Sequence, residues 1–294
     1  MSMAKEAWTI LKLIDWTTHF FKEKGIHNPR LDSEILLANT LKLDRVGLYL
    51  NYDRPLTGNE LSSFKGLVKR RAGREPLQYI TGVQEFWSLE FKVGQGVLIP
   101  RPETEVLVEE TLKEGKGDNN RPLVLDLCTG SGCIAISLAK ELTGSTIYAI
   151  DNSGTALDIA SRNAARHEVD NRITFLSGNL FSPLKGLNLE YSFDIIVSNP
   201  PYVKSKEIEG LEPEVKAFEP VSALNGGEDG LAVIRLIARD APQYLRKGGI
   251  LMMEIAFDQG KDVEYIIGER GAYTATTILK DYSGKDRVVK ARTI

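Results

Sequence analysis

Residues 125–135 read Leu-Asp-Leu-Cys-Thr-Gly-Ser-Gly-Cys-Ile-Ala, and this stretch decides the fold class. Its apolar beginning is typical of a buried strand, its two glycines of a tight turn, and its Cys-Ile-Ala end of a helix start. Because glycine has no Cβ, the backbone of such a turn can approach a ligand closely. The stretch therefore predicts a ligand-binding strand–turn–helix unit of an α/β protein.

An acidic residue, Asp151, follows the next predicted strand. A carboxylate at that point can accept hydrogen bonds from both ribose hydroxyls of an adenosine. Gly130-x-Gly132-x-x-Ala135 with Asp151 about 20 residues on also fits a dinucleotide site. The turn alone therefore leaves a dinucleotide and S-adenosylmethionine open. Asp126 favours the second, because it would repel a pyrophosphate but could meet the amino-acid end of S-adenosylmethionine.

Beyond residue 102, short apolar runs alternate with helical patterns. The strands predicted in this part are 123–127, 146–150, 172–176, 193–198 and 250–255. Such alternation is typical of a doubly wound, mostly parallel sheet. The last two segments, 273–279 and 287–291, are predicted to form a hairpin that makes one edge of the sheet antiparallel.

The region before residue 75 has helical periodicity and is predicted to form a small bundle. One helix is expected around Trp8 to Phe21, and another from the capping-box pair Thr57 and Glu60 to Gly73. The basic cluster Lys69-Arg70-Arg71 with Arg74 is either an ordinary solvated helix end or a contact for an acidic partner.

The aromatic and glycine-punctuated region that follows, with Tyr79 and Ile80 as strand residues, is predicted to be a β-hairpin. We therefore divide the chain into a helical bundle (1–77) for substrate recognition, a hairpin linker (78–100) and a catalytic domain (101–294).

The composition excludes several classes of protein. The 294 residues carry a net charge of -3, so no global basic field favours stable binding of nucleic acid. The two cysteines and three histidines lack the spacing of metal ligands, and no metal is expected. No secretory signal or membrane-spanning stretch is found, which predicts a soluble, cytoplasmic protein without a membrane partner. We expect a monomer.

Two loops complete the predicted site. After the third strand of the sheet, Asn179 could hydrogen-bond an adenine and Leu180 could pack on its ring. After the fourth strand comes Ser198-Asn199-Pro200-Pro201-Tyr202. Ligands of such sheets bind outside the carboxyl ends of the strands, and the two prolines stiffen this loop.

The loop 198–202 suits methylation of a planar nitrogen. An amide nitrogen is a weak nucleophile because its lone pair is delocalised into the carbonyl. The Asn199 side-chain oxygen and the Pro200 carbonyl could each accept one N–H of an acceptor amide, and Tyr202 could wall the pocket. Such orientation supplies up to about 7–11 kcal/mol in well-aligned systems. No strong base is required for direct in-line transfer.

Further motifs accompany the stretches 126–135 and 198–202. They are Glu75-Pro76-Leu77-Gln78-Tyr79-Ile80-x-Gly82, Leu98-Ile99-Pro100-Arg101-Pro102-Glu103-Thr104-Glu105, Glu219-Pro220, Ala223-Leu224-x-Gly226-Gly227-x-Asp229-Gly230-Leu231 and Asp281-x-x-Gly284-x-x-Arg287. With this set, the sequence resembles the bacterial release-factor glutamine methyltransferases. Asn-Pro-Pro-Tyr alone also occurs in adenine methyltransferases, but the surrounding set does not.

The resemblance implies a class I (Rossmann-like) methyltransferase domain with a seven-stranded sheet, preceded along the chain by a helical domain and a linking hairpin. It implies transfer from S-adenosylmethionine, leaving S-adenosylhomocysteine, to the glutamine of the Gly-Gly-Gln loop of peptide chain release factors. Carried over by position, the cofactor contacts are Cys128, Thr129, Gly130, Ser131, Gly132, Asp151 and Leu180. Those of the substrate are Asn199, Pro200, Pro201 and Tyr202, with Arg101 and Glu105 beside them.

Three positions depart from the family pattern. Asn179 stands where aspartate is common, Cys128 where glycine is frequent, and Ala256 where glycine often follows the last parallel strand. Two other functions remain alternatives. One is adenine N6 methylation of RNA or DNA, which needs a basic groove. The other is a nicotinamide-dependent oxidoreductase, which leaves the Asn-Pro-Pro-Tyr loop without a role.

Overall fold

The computed structural model describes residues 7–116 and 121–294. The helices of these residues are α1 (Ile10–Glu23), α2 (Pro29–Leu41), α3 (Arg45–Leu50), α4 (Gly58–Ala72), α5 (Leu77–Thr81), α6 (Glu105–Gly115), α7 (Cys133–Glu141), α8 (Gly154–Arg166), α9 (Pro213–Phe218), α10 (Ala232–Asp240) and α11 (Gly260–Gly268). The strands are β1 (Val83–Phe86), β2 (Leu89–Lys92), β3 (Leu123–Leu127), β4 (Thr146–Asp151), β5 (Ile173–Ser177), β6 (Phe193–Ser198), β7 (Leu245–Glu254), β8 (Tyr273–Lys280) and β9 (Asp286–Thr293).

The chain forms two compact units. The first runs up to Gly82 and also contains α9, and the second comprises Val83–Glu212 and Glu219–Ile294. The predicted linker is thus shared, since residues 78–82 belong to the first unit and 83–100 to the second.

The first unit is a small bundle around a core from α1, α2, α4 and α5. Its most buried side chains include Phe21, Leu37 and Phe64. The predicted capping box is present: Thr57 accepts from the Glu60 backbone N–H, while the Glu60 carboxylate accepts from the N–H of Thr57. This satisfies two backbone donors that the helix would otherwise leave without partners.

The prediction that Tyr79 and Ile80 lie in a strand is wrong, because both belong to α5. Their N–H groups donate to the carbonyl of Pro76, and α5 ends at Gly82 with φ of 79°. Ile80 is buried in the core of the bundle. This burial outweighs the β-preference of the two side chains, which depends strongly on context.

Ion pairs hold α9 within the first unit. Arg71 donates from Nε to Asp32 Oδ2 at 2.7 Å and from Nη1 to Glu214 Oε1 at 3.0 Å. Arg74 reaches the same Glu214 oxygen at 3.1 Å, and Arg70 pairs with Glu75. Three arginines of the basic cluster therefore take part in structural ion pairs.

The second unit has a seven-stranded sheet in the order β5-β4-β3-β6-β7-β9-β8, within the described residues. The first five strands of this order are parallel, and β9 pairs antiparallel with both β7 and β8. The mostly parallel sheet and its antiparallel edge are therefore confirmed. Its strands alternate their side chains between two buried clusters, one containing α6 and α7 and the other α10 and α11.

The hairpin β1–β2 packs into the second unit. A two-residue turn joins its strands, with positive φ at Trp87 (52°) and Ser88 (55°). Phe86 and Phe91 meet edge to face at 6.1 Å between ring centroids and belong to the cluster that contains α6 and α7. No helix of the described residues is long and apolar enough to span a bilayer.

Candidate active site

The candidate site is a cavity, open to solvent, at the carboxyl ends of the central strands of the second unit. In the sheet, β4 lies on one side of β3 and β6 lies on the other, so the direction in which strands are added changes at β3. Ligands bind at such a switch point of a parallel sheet. The predicted site residues that line the cavity are Arg101, Cys128, Thr129, Gly130, Ser131, Asp151, Asn179, Leu180, Asn199 and Pro201.

The glycine turn between β3 and α7 contains three residues of positive φ: Cys128 (60°), Gly130 (55°) and Gly132 (80°). The two glycines serve different purposes. A Cβ on Gly130 would meet no protein atom within 4 Å, so a ligand has access to the backbone there. A Cβ on Gly132 would lie 3.1 Å from the Cβ of Ala160, so this glycine allows α8 to pack closely. Gly132 does not line the cavity.

Cys128 has a φ of 60°, a left-handed backbone conformation that favours glycine, so a glycine at this position would be less strained than the cysteine. Burial raises the pKa of its thiol to about 12, and the nearby Asp151 charge adds to this effect. The thiol is therefore protonated near neutral pH and is not an activated nucleophile.

Asp151 is oriented by two backbone groups. Its Oδ2 accepts from the N–H of Gly130 at 2.9 Å, and its Oδ1 accepts from the N–H of Ser153 at 2.9 Å. A carboxylate oxygen can accept more than one hydrogen bond. The carboxylate is therefore fixed in position beside the glycine turn, with acceptor capacity left on both oxygens.

Asp126 lies beneath the turn rather than in the cavity lining. It is fully buried, and its Oδ2 accepts from Thr129 Oγ1 at 2.6 Å, while its Oδ1 has no hydrogen-bond partner. Burial raises the pKa of Asp126 from its ordinary value of 3.8 to about 7. The structure thus places Asp126 as a support for Thr129 outside the cavity lining, whereas the sequence predicted that it meets the amino-acid end of the cofactor, directly or through water.

The loop 198–202 begins where β6 ends. Ser198 Oγ donates to the carbonyl of Leu127 at 2.8 Å, which joins the ends of β6 and β3. Asn199 Nδ2 donates to Thr104 Oγ1 at 3.2 Å. Asn199 thus enters the same cavity as the glycine turn and Asp151.

Comparison with known proteins supports an assignment. Residues 12–82 match a family model described as the PrmC N-terminal domain, and residues 102–212 one described as the methyltransferase small domain. A release factor glutamine methyltransferase of Geobacter sulfurreducens is 47% identical over 292 residues, which cover 99% of both chains. One of Rhodopirellula baltica is 39% identical over 285 residues, covering 96% of this chain and 95% of the relative. The chain belongs to the release factor glutamine methyltransferase family.

A solved methyltransferase from Pyrococcus furiosus shares the fold, with a TM-score of 0.50, 18% identity and coverage of 70% of this chain and 88% of that one. The class I methyltransferase fold expected from the sequence is therefore confirmed, and the relatives named above confirm the expected enzyme class.

Three predicted substrate residues of the methyltransferase do not line the cavity: Glu105, Pro200 and Tyr202. Glu105 begins α6, and its Oε1 accepts from the backbone N–H of Trp87 at 2.8 Å, so it fastens the hairpin turn. Pro200 is buried, and Tyr202 donates its hydroxyl to Glu254 Oε1 at 3.0 Å. Neighbouring residues alternate in direction along an extended loop, which sequence position alone does not resolve.

Gln259 and the glycines of the stretch 223–231 contact the backbone of the loop 198–202. Gln259 Nε2 donates to the carbonyl of Tyr202 at 3.1 Å. A Cβ on Gly226 would lie 2.8 Å from the carbonyl oxygen of Pro201, and one on Gly230 2.4 Å from that of Tyr202. Gly226 and Gly230 are thus required because two backbones touch there.

Sequence reasoning missed the polar residues that support the site. Among them are Thr104, Glu254 and Gln259, all buried. The signal available for Glu254 was a carboxylate at the end of the apolar run of β7, since such a group needs partners when buried. Arg101 forms an ion pair with Glu219 at 2.5 Å, and Glu219 also accepts from the N–H of Ile99.

No group of three or more His, Cys, Asp or Glu side chains within residues 7–116 and 121–294 could hold a metal ion.

Proposed function

We propose that this methyltransferase transfers a methyl group from S-adenosylmethionine to the side-chain amide nitrogen of the glutamine in the Gly-Gly-Gln loop of peptide chain release factors. The observation that carries the proposal is the placement of Asn199, which shares one cavity with the glycine turn and Asp151. The names of the relatives, at up to 47% identity over nearly the full chain, support the same substrate.

The cavity residues fit S-adenosylmethionine. Asp151 has acceptor capacity left for two ribose hydroxyls, and the open backbone at Gly130 leaves room for the ligand. Asn179 and Leu180 line the cavity beyond β5, where we propose that they contact the adenine. When bound, S-adenosylmethionine supplies an electrophilic methyl group that the acceptor nitrogen takes directly, in line with the departing sulfur.

The chain's own part is to hold the acceptor amide. We propose that Asn199 Oδ1 accepts one of its N–H groups and that the other is accepted by the backbone carbonyl of Pro200, which lies between the cavity residues Asn199 and Pro201. Two fixed acceptors present one face of the nitrogen and stabilise the positive charge that develops on it. Tyr202 fastens the loop through Glu254, and Arg101, held by Glu219, borders the acceptor.

No catalytic base is needed in this scheme. The Asn199 amide oxygen and the Pro200 carbonyl hold the acceptor's hydrogens but are too weakly basic to remove them. The Cys128 thiol is protonated, because burial raises its pKa to about 12. We therefore propose that the surplus proton leaves the nitrogen to solvent after transfer.

The test is a transfer assay with labelled S-adenosylmethionine and purified release factor, read by mass spectrometry of the loop peptide. Label on the loop glutamine, absent from a release factor with Gln→Ala in the loop, is the expected result. Asn199→Ala should lower turnover at least a hundredfold, a typical cost for one transition-state hydrogen-bond group, and leave cofactor affinity unchanged. Asn171→Ala, which removes an exposed amide of the second unit outside the cavity lining, is the matched control. Unchanged turnover in Asn199→Ala would refute the role of this residue.

A further inference from the structure

A buried series of hydrogen bonds runs behind the loop. Asn199 Nδ2 donates to Thr104 Oγ1 at 3.2 Å, and Thr104 Oγ1 donates to Glu254 Oε2 at 2.6 Å. Tyr202 donates to the other oxygen of Glu254 at 3.0 Å. Thr104 and Glu254 are each only 1% exposed, so neither side chain can exchange these partners for water.

The directions of these bonds follow from proton counting. A hydroxyl has one hydrogen and can accept with its lone pairs. The hydrogens of Thr104 and Tyr202 are both used by Glu254, one on each carboxylate oxygen. Thr104 therefore offers only a lone pair to Asn199, and only the Nδ2 end of the Asn199 amide can bond to it. The amide oxygen, Oδ1, lies at the opposite end.

The arrangement depends on Glu254 accepting at both oxygens, which an ionised carboxylate does. Burial raises the pKa of Glu254, and Glu103 acts in the same direction. The hydrogen bonds from Thr104 and Tyr202 and the charge of Arg287 oppose this rise. The geometry is that of an ionised carboxylate, because each oxygen accepts from one hydroxyl group.

We propose that Thr104 and Glu254 are positioning residues that set the Asn199 amide with its oxygen toward the acceptor, so that the site selects an amide over a carboxylate. The inference rests on the proposed function, because the acceptor is taken to be the loop glutamine. Glutamine presents N–H donors to Asn199 Oδ1. Glutamate, of nearly the same shape, presents only oxygens, which the same atom repels.

Without the Thr104 hydroxyl, nothing distinguishes the two ends of the Asn199 amide, which are nearly the same size. The amide can then turn and present its NH₂ group to a carboxylate. Selectivity between glutamine and glutamate should fall, even where the shape of the pocket is retained. A purely structural role of Thr104 would weaken the binding of both acceptors by the same factor.

The experiment measures binding rather than turnover. Isothermal titration with S-adenosylhomocysteine present gives the affinity for release factor with the natural loop and with Gln→Glu in the loop. The wild-type chain should prefer the natural loop by at least about tenfold, the cost of one mispaired buried hydrogen bond. Thr104→Val should reduce this ratio to within about twofold of unity, and Thr104→Ser, which keeps the hydroxyl, should restore it.

Thr111→Val is the matched control. Thr111 is also fully buried, and its hydroxyl donates to the carbonyl of Leu107 at 2.7 Å within α6, away from Asn199. This variant should keep the wild-type ratio. If Thr104→Val does not fold, the double variant Thr104→Val/Glu254→Gln also removes the carboxylate that has lost one of its two hydroxyl donors, and the same ratio is measured on it.

The outcomes separate the two proposals. A wild-type preference that Thr104→Val leaves intact would overturn the positioning role alone. A wild-type chain that binds both loops equally would overturn the positioning role together with the proposed acceptor. A ratio lost in Thr104→Val and kept in Thr104→Ser and Thr111→Val supports the inference.

Discussion

Asp126 should make the second unit less stable as the pH rises, because its carboxyl group is buried and only partly hydrogen-bonded. Burial raises its pKa from 3.8 to about 7, so the native chain binds more protons than the unfolded chain between these values. Stability falls with rising pH where the native state holds the extra proton. At 1.36 kcal/mol per pKa unit, the loss between pH 5 and pH 8 comes to about 2–3 kcal/mol.

The perturbation is Asp126→Asn. An asparagine keeps an acceptor for the Thr129 hydroxyl, which lies 2.6 Å from Asp126 Oδ2, but carries no charge at any pH. The free energy of unfolding of the variant, minus that of the wild type, should therefore rise by about 2–3 kcal/mol from pH 5 to pH 8. Groups common to both chains cancel in this difference.

The assay is urea unfolding at several pH values, followed by tryptophan fluorescence. Trp8 and Trp16 lie in the first unit and are 42% and 50% exposed, so replacing both by Phe leaves Trp87 as the reporter of the second unit.

The control is Asp229→Asn. Hydrogen bonds from Arg235 lower the pKa of Asp229 to about 2, so it is ionised throughout this range. Its difference from wild type should not change between pH 5 and pH 8. If the difference in unfolding free energy between Asp126→Asn and the wild type is also constant from pH 5 to pH 8, the buried carboxyl group does not titrate in this range and the reasoning is refuted.

Three further changes test other parts of the structure. Gly230→Ala places a Cβ 2.4 Å from the carbonyl oxygen of Tyr202, so turnover should fall at least tenfold. Gly248 has a similar φ, and a Cβ there would meet no atom within 4 Å, so Gly248→Ala should keep full turnover and lose only about 1–2 kcal/mol of unfolding free energy in a urea titration. Cys128→Gly relieves a left-handed φ of 60° and should retain full transfer and stability within about 1 kcal/mol; a tenfold loss of transfer would mean that the thiol contributes. Arg71→Ala leaves the buried carboxylate of Asp32 without its partner, while Glu214 keeps Arg74, so the first unit should lose about 3–5 kcal/mol in unfolding experiments, and a loss below 1 kcal/mol would contradict the ion-pair account.

Local chemistry was enough to predict the framework of the second unit. β3 and β6 begin and end at the predicted residues, because a buried apolar run stops at a glycine turn in one case and at Asn-Pro in the other. The order of strands and helices, with a stiff loop after β6, also predicted that Asn199 and Asp151 line one cavity. These features depend on periodicity and on backbone restrictions of Gly and Pro, which act within a few residues.

Only the tertiary structure decided which polar groups support that cavity. Thr104 and Glu254 are 150 residues apart, yet their hydrogen bond determines which end of the Asn199 amide faces outward. Tertiary contacts also decided the position of Asp126, which is buried outside the cavity lining, and of Ile80, whose burial in the bundle outweighed its strand preference. Local sequence sets what a side chain can do, but burial and partners depend on contacts between distant segments, and these contacts set the free energy of every buried polar group.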